Sequence, residues 1–254
     1  MRHPLTHRFS WGTEIPTGGL TRKRISVPRN LGVSMKPKHG GDPMSTGSST
    51  PRFTAPIAAP VESLPQTLPA LLDDVWRRIR AGLNGRWPPW GLPMLATLSP
   101  HGPRARVLAL RSVDPAERLF VFHTDARSDK VRELRADGRV SVVFWDPGDA
   151  IEARFTGTAS VHCRDQVARE AWQQVSLLRR MASAVDYAPG AVLSAPSRFD
   201  ALPTTTDDEV ALSHFAVVLV RATALDWFWL GPGDMRRAFI CWTDSGPSAT
   251  WVVP

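Results

Sequence analysis

The chain has 254 residues, of which 43% are hydrophobic and ten are Trp, so it has enough apolar side chains for one large or two small cores. No apolar run approaches the ~20 residues that a membrane helix needs, so we expect neither a membrane span nor a secretory signal. Cys163 and Cys241 lie far apart, which disfavours a disulfide scaffold or a zinc site and favours a cytoplasmic protein with buried thiols.

The net charge of +7 is unevenly distributed along the chain. Residues 1–43 carry eight Lys or Arg and two acidic residues, whereas residues 44–254 carry 23 basic and 22 acidic residues. A nucleic-acid-binding domain would need a basic face on its folded part. We therefore expect no nucleic-acid or membrane partner for the domain, and association through the basic tail is the least favoured hypothesis.

Residues 1–67 are rich in Pro, Gly, Ser and Thr and show no apolar periodicity, which predicts a disordered basic tail and linker. Two interpretations of the tail stay open. It is either a targeting or polyanion-binding arm, or an extension that is irrelevant to function, with Met35 or Met44 as the true start. The folded domain is predicted over residues 68–254.

Residues 68–85 open the domain with apolar residues at helical spacing, which predicts a helix. The Pro-rich segment 86–93 is predicted to be irregular, with Trp87 and Trp90 covering the core. Three strands are then predicted, over Met94–Leu98, Arg104–Val113 and Arg118–His123.

The next segment, a loop followed by a helix, is the one that indicates chemistry. A polar loop, Thr124–Arg127, leads into a predicted helix over Ser128–Ala136, and the Ser128 hydroxyl is expected to cap its first turn. A helix N-terminus attracts anions, and Lys130 opposes the helix dipole there unless an anion is bound. Together with Arg106 and Arg111 on the preceding strand, this pattern favours a phosphate pocket. The alternative is an ordinary strand–loop–helix connection with solvated charges.

The remainder of the chain completes a predicted fold that is mainly β with flanking helices. A buried strand, an alternating strand, a helix and a long Pro-rich loop come first, over Arg139–Trp145, Ile151–Val161, 163–185 and 187–209. Four more strands are predicted, over His214–Ala222, Leu225–Leu230, Arg236–Trp242 and Ala249–Val253. The seven His are scattered and no Walker loop or hydrolase elbow is present, so we expect no metal site and no triad chemistry.

Five ordered motifs make the chain resemble the pyridoxamine 5′-phosphate oxidase-like family of FMN-binding split β-barrels, and in particular its poorly characterised branch. Four of them are RVLALR, FHTDARSDKVREL, VSVVFWD and FTGTA. The fifth is a C-terminal set made up of Phe228, Trp229, Arg236, Arg237, Phe239, Trp251 and Pro254. The resemblance covers roughly residues 68–254.

The resemblance implies a homodimer with FMN at the subunit interface, acting as an oxidoreductase on a small-molecule substrate. Arg111 is the implied catalytic residue, lying near the flavin ring. The implied cofactor contacts are Arg106, Arg111, Thr124, Arg127, Ser128, Lys130, Glu152, Trp229 and Arg237, with the choice between Arg236 and Arg237 open. Arg179 and Ser183 are the implied contacts of a substrate phosphate, as in pyridoxamine phosphate; the alternative for Arg179 is to complement the C-terminal end of its helix.

Two residues depart from the family pattern. Asp129 stands where the family often has a basic residue, and Glu152 stands where it commonly has a Gln that contacts the flavin. A carboxylate at Glu152 would repel a reduced flavin unless it is protonated or paired, with Arg154 as the expected partner. A non-catalytic flavin- or haem-binding module of the same fold is therefore the alternative function, and a deazaflavin in place of FMN stays open.

Overall fold

The computed structural model of the chain describes residues 64–85, 89–193 and 207–254. The predicted tail up to residue 63, Trp87 and residues 194–206 of the predicted long loop lie outside these ranges. The described strands are β1 (Met94–Ser99), β2 (Gly102–Val107), β3 (Leu110–Asp114), β4 (Leu119–Asp125), β5 (Arg139–Asp146), β6 (Ile151–His162), β7 (Phe215–Gly231), β8 (Asp234–Thr243) and β9 (Gly246–Val252). The described helices are α1 (Leu68–Asn84), α2 (Asp129–Ala136), α3 (Gln166–Gln173), α4 (Leu177–Ser183) and α5 (Asp208–Ser213). The predicted class, mainly β with flanking helices, is confirmed.

The nine strands form one antiparallel sheet. Its order is β2–β1–β5–β6–β7–β4–β3, and β8 pairs with β7 and β9 with β8 as a branch from this path. Within the described ranges no ladder joins the edge strands β2 and β3, so the hydrogen bonding does not close into a ring. Only Leu108 and Ala109 separate these two strands along the chain. The Cα atoms of Val107 and Leu110 are three residues apart along the chain and therefore lie within about 11 Å of each other. The sheet must curl to bring its two edges this close.

The single strand predicted over Arg104–Val113 is therefore wrong, because this segment crosses from one edge of the sheet to the other. The segment pairs first with β1 and then with β4, and no strand can continue straight through that change of partner. The register also shifts between Leu110 and Ser112, which places Arg111 at a bulge.

Aromatic rings from the inner face of the curled sheet form the main core. Phe120 and Phe155 lie 4.9 Å apart between ring centroids, and Trp76 of α1 lies 5.1 Å from Phe155. Trp90 is buried and stacks on Phe144 at 5.6 Å, so it covers the core as predicted. Helix α1 begins at Leu68, where the prediction placed it. The helix thus covers the aromatic core from one side.

A smaller apolar cluster lies on the outer face of the sheet, under the later helices. Trp172 of α3 packs on Phe215 of β7 with ring centroids 5.0 Å apart. The single helix predicted over 163–185 is wrong, because the structure has two helices, α3 and α4, separated by a short non-helical break. Arg180 of α4 donates to the carbonyls of Trp172 (2.9 Å) and Val175 (3.0 Å), so its side chain links the two helices across the break.

Candidate functional site

The loop between β4 and α2 is held by hydrogen bonds of its own. The Ser128 hydroxyl donates to the carbonyl of Asp125 at 2.7 Å, and the residue is only 2% exposed. It makes no side-chain bond to the N–H groups of α2, so the predicted cap is wrong. A buried hydroxyl takes the nearest acceptor that completes its hydrogen bonding, and here that acceptor closes the loop. The first N–H groups of α2 are therefore not occupied by this side chain.

Arg106 and Lys130 come together beside this loop. Lys130 donates from Nζ to Thr124 Oγ1 at 3.0 Å. Burial lowers the pKa of Lys130 and the nearby charge of Arg106 lowers it further, against the opposing effect of three neighbouring carboxylates. A buried lysine beside a second cation forms a place where an anion would be stabilised. Two of the residues predicted at the phosphate end, Arg106 and Lys130, thus lie near each other, and Thr124 contacts Lys130.

Arg127, which the resemblance also assigns to the cofactor, is held by another segment. Its Nη2 pairs with Asp125 at 2.8 Å, and it donates to the backbone carbonyls of Val185 and Asp186 at 3.0 Å each. Its Nη1 also lies 3.3 Å from Nε2 of His214. The guanidinium fastens the 185–187 segment to the loop, so its predicted role at the phosphate has no support from these contacts.

A second cationic group forms where Arg111 of β3 meets Arg179 of α4. The pKa of Arg111 is lowered first by burial and then by the charge of Arg179. Its Nε is buried and has no hydrogen-bond partner among the described residues. Within the same ranges no carboxylate pairs with either guanidinium, so their charge is unbalanced there. The arrangement suits a bound anion, because an unpaired buried donor is costly.

His123 of β4 faces the same two arginines. Burial, followed by the charges of Arg111 and Arg179, lowers the pKa of His123 to about 4. Its ring packs edge-on against Phe215, 4.9 Å between centroids. The imidazole is therefore neutral at pH 7 and adds a polar group without adding charge.

Ser183 lies one turn after Arg179 on α4, as the predicted spacing requires. Its hydroxyl donates to the Arg179 carbonyl at 3.0 Å, and its own carbonyl lies 2.9 Å from Nδ1 of His214. The hydroxyl oxygen keeps acceptor capacity, but its proton is used inside the helix.

Two of the remaining predicted cofactor contacts, Glu152 and Arg237, belong to a separate ionic network on β6, β7 and β8. Asp226 accepts from Arg237 at 2.7 Å and 2.9 Å and also bonds to Arg154. Burial raises the pKa of Asp226, but its hydrogen bonds and the charges of both arginines lower it more. Glu152 lies 3.7 Å from Arg154, which is the partner expected for it. Among the described residues, no hydrogen bond or ion pair joins this network to Arg106 or Lys130.

Trp229 belongs to the core and not to an open surface. It is 0% exposed, and its indole Nε1 has no partner among the described residues. This burial gives no support to its predicted contact with the cofactor. The alternation along β7 decides this, because Trp227 and Trp229 both point to the inner face. Arg236, the other candidate at this end, donates to Oε1 of Gln66 at 3.2 Å.

Sequence reasoning missed the acids that hold these arginines. Glu133 is 6% exposed and pairs with Arg104 and Arg106, 29 and 27 residues away. Its position on α2 beside Leu134 was a signal, because a carboxylate bordering the buried face of a helix needs cationic partners. Asp226 gave a weaker signal as an acid within an otherwise apolar strand.

Two functional classes receive no support from the described residues. Across ranges 64–85, 89–193 and 207–254, no helix is long and apolar enough to cross a membrane. The same ranges contain no group of three or more His, Cys, Asp or Glu side chains placed to hold a metal ion.

Comparison with known proteins supports a family relationship in the central part of the chain. Residues 91–202 match the family described as pyridoxamine 5′-phosphate oxidase. A pyridoxine/pyridoxamine 5′-phosphate oxidase of Microcystis aeruginosa is 40% identical over 99 residues, which are 39% of this chain and 44% of that protein. The corresponding enzyme of Granulibacter bethesdensis is 44% identical over 69 residues, covering 26% and 32% of the two chains. The matches thus span less than half the length of these curated relatives.

Two solved structures share the fold. One is a pyridoxamine 5′-phosphate oxidase-related, FMN-binding protein of Nostoc punctiforme, with a TM-score of 0.56, 22% identity and coverage of 76% of this chain and 99% of that chain. The other is PhzG of Burkholderia lata in complex with tetrahydrophenazine-1-carboxylic acid, with a TM-score of 0.55, 18% identity and coverage of 76% and 95%. The predicted resemblance of this chain to the pyridoxamine 5′-phosphate oxidase family is therefore confirmed.

Proposed function

We propose that residues 68–254 form a split-barrel domain that binds FMN between two copies of the chain and serves as an oxidoreductase. The observation that carries the proposal is the pair of cationic groups, Arg106 with Lys130 and Arg111 with Arg179. One group lies at the start of α2 and the other on β3 and α4. A flavin phosphate and a second anion are ligands of matching charge.

The chemistry of the donors fits a phosphate group at the start of α2. Lys130 and Arg106 supply positive charge, and Thr124 lies within hydrogen-bond distance of Lys130. FMN bound here would supply the two-electron redox chemistry, while the protein holds and orients it. Glu152 is paired with Arg154, so its carboxylate is partly compensated before any flavin arrives. Phosphate anchoring by Arg106 and Lys130 is thus the function proposed for this end of the site.

Arg111 and Arg179 are proposed to bind the anionic part of the substrate, a phosphate monoester in the simplest case. The unpartnered Nε of Arg111 supports this assignment, since an incoming oxygen would satisfy it. His123 stays neutral beside these arginines and can donate or accept one hydrogen bond without repelling them further.

The outer face of the sheet supports a homodimer. Val107, Met94 and Val143 are register neighbours across β2, β1 and β5, and the first two are 60% and 44% exposed. Trp145 on the same face of β5 is 44% exposed. Beside them lies a surface cavity of about 470 Å³ lined mostly by small side chains, including Ala96, Ser141, Thr156 and Thr158. Contiguous exposed apolar surface of this kind marks interaction sites. A second copy is the occupant that the proposed flavin site requires.

A reducing compartment suits this protein, because both Cys163 and Cys241 are free thiols in the structure. We propose a cytoplasmic location on this ground.

Purification followed by FMN reconstitution tests the proposal. We expect a yellow protein with flavin absorption, a stoichiometry of one FMN per chain, and a mass in solution of twice 28.0 kDa plus the cofactor. A colourless protein that takes up no FMN would contradict it. Bound flavin that no amine or nicotinamide donor reduces would instead favour the non-catalytic module, for which Glu152 and Asp129 are the motivating departures.

A further inference from the structure

The carboxylate of Glu133 is the most enclosed charged group at the start of α2. Glu133 is 6% exposed and lies one turn after Lys130. Its Oε2 accepts from Arg106 Nη2 at 2.9 Å and from Thr97 Oγ1 at 2.5 Å, and its Oε1 accepts from Arg104 Nη1 at 2.9 Å. Burial raises the pKa of Glu133, but the bonds from Thr97, Arg104 and Arg106 outweigh this and leave the pKa below its ordinary value. The Glu133 carboxylate is therefore ionised in the folded protein at neutral pH.

Glu133 and Thr97 together grip one edge of the Arg106 guanidinium. Nη2 bonds to Glu133, and Nη1 bonds to Thr97 and, at 3.4 Å, to the carbonyl of Leu95. Thr97 in turn donates to Glu133, so the three side chains form a closed ring of hydrogen bonds. A planar guanidinium fixed at two nitrogens cannot rotate freely.

The opposite edge of the same guanidinium stays available. Among the described residues, Nε–H of Arg106 donates to no protein acceptor, and Nη2 makes a single bond. The Arg106 side chain is 22% exposed, so part of it reaches the surface. Nε and Nη2 form the fork that binds two oxygens of a phosphate in parallel.

We propose that Glu133 is a positioning residue for the cofactor phosphate. It holds the Arg106 guanidinium so that the Nε edge of this arginine faces the phosphate. The inference rests on the proposed function, because it concerns how the same FMN site is organised. It predicts that Glu133 sets the preference for FMN over riboflavin, since these ligands differ only by the phosphate. The carboxylate itself is not expected to touch the flavin.

The test compares FMN and riboflavin affinities of the full chain by fluorescence titration. We expect Glu133→Ala to weaken FMN binding by about tenfold, because Arg106 loses its fixed orientation, while riboflavin affinity changes less than about twofold. Thr97→Val removes the hydrogen bond from Arg106 Nη1 to the Thr97 hydroxyl with little change in side-chain volume. This variant provides the test if Glu133→Ala fails to fold. It should lower the FMN preference in the same direction. Glu133→Gln keeps an acceptor for Nη2 and should restore most of the preference.

Asp129→Asn is the matched control. Asp129 lies on the same helix and bonds to Arg104 and Arg132 but not to Arg106. Its substitution removes an equal charge without releasing the guanidinium, so FMN preference should be kept or slightly raised. Unchanged or tighter FMN binding in both Glu133→Ala and Thr97→Val would overturn the inference and identify the carboxylate as a competitor of the phosphate. A wild-type chain that binds neither flavin would instead overturn the proposed function, and the inference with it.

Discussion

His123 is a residue whose environment favours the neutral form strongly. Burial and two arginines lower its pKa to about 4, against 6.5 for an unperturbed His. The unfolded chain binds a proton at this site between those values and the folded chain does not. The stability that the neutral imidazole confers is therefore complete above pH 6.5 and is lost as the pH falls towards 4.

We predict that His123→Phe removes part of the acid sensitivity of the fold. Phe keeps the edge-on contact with Phe215 and cannot be protonated. Between pH 7 and pH 4.5 the variant should lose about 1–2 kcal/mol less unfolding free energy than the parent, since each pKa unit is worth about 1.4 kcal/mol and the ring is partly solvated. Urea titrations at several pH values measure this. A His123→Phe variant that loses as much unfolding free energy as the parent over this pH range would contradict the prediction.

Arg179 and Arg180 are adjacent on α4 but differ in their contacts. Arg179 is unpaired by carboxylates in the described residues. Arg180 instead bonds to α3 carbonyls, pairs with Asp208 at 3.2 Å and stacks over Trp172 at 5.2 Å. We predict that sulfate stabilises the parent thermally, and that Arg179→Met keeps or slightly raises stability and abolishes this sulfate effect. Arg180→Met should lower stability by about 1–3 kcal/mol and keep the sulfate effect. Thermal melts with and without sulfate check both, and the reverse pattern would refute the anion site.

Among the elements, β6 and β7 are bent together at one point. The register shifts at Thr156 and Gly157, and Thr223 falls out of the ladder between Ala222 and Ala224. Two strands were predicted here, over His214–Ala222 and Leu225–Leu230, but the structure has one long strand with a bulge. The bend needs a close approach, because a Cβ on Gly157 would lie 2.1 Å from the carbonyl oxygen of Arg221.

Gly157→Ala should therefore be strongly destabilising. The clash is with backbone, which cannot move without breaking the ladder, so we expect a loss of about 2–4 kcal/mol. Gly148→Ala is the matched control: its Cβ would meet only the end of the Asp146 side chain, at 3.3 Å. A denaturant midpoint for Gly157→Ala close to that of the control would show that the bulge adapts.

In the whole molecule, a buried Trp and an exposed Trp serve different purposes. Trp76 is 6% exposed and packs on Phe120 and Phe155 inside the core, whereas Trp145 is 44% exposed on the outer face. The first stabilises the fold, and the second is available for association.

Replacing each of these residues by Ala separates folding from assembly. Trp76→Ala should lower the unfolding free energy by about 3–5 kcal/mol through the cavity it leaves. Trp145→Ala should change it by less than about 1 kcal/mol in the monomer and shift the monomer–dimer equilibrium towards monomer. Denaturation and sedimentation measure the two effects. A Trp145→Ala variant with unaltered self-association would place the interface elsewhere.

The sequence alone determined the order and type of most elements and the place where β4 passes into α2. Helix α1 starts at Leu68 as predicted, because cap chemistry and apolar periodicity are local properties. The proximity of Arg106 and Lys130 also followed from this order. The family resemblance is what assigned the two residues to a cofactor phosphate.

Only the tertiary structure decided which partners the arginines take. Arg106 meets Glu133, and Arg237 meets Asp226 across neighbouring strands, while Arg127 turns to the 185–187 segment. The tertiary structure likewise decided the crossing of the chain at Leu108 and Ala109 and the burial of Trp229. Each depends on residues brought together by the curl of the sheet, and local periodicity carries no information about contacts at that distance along the chain.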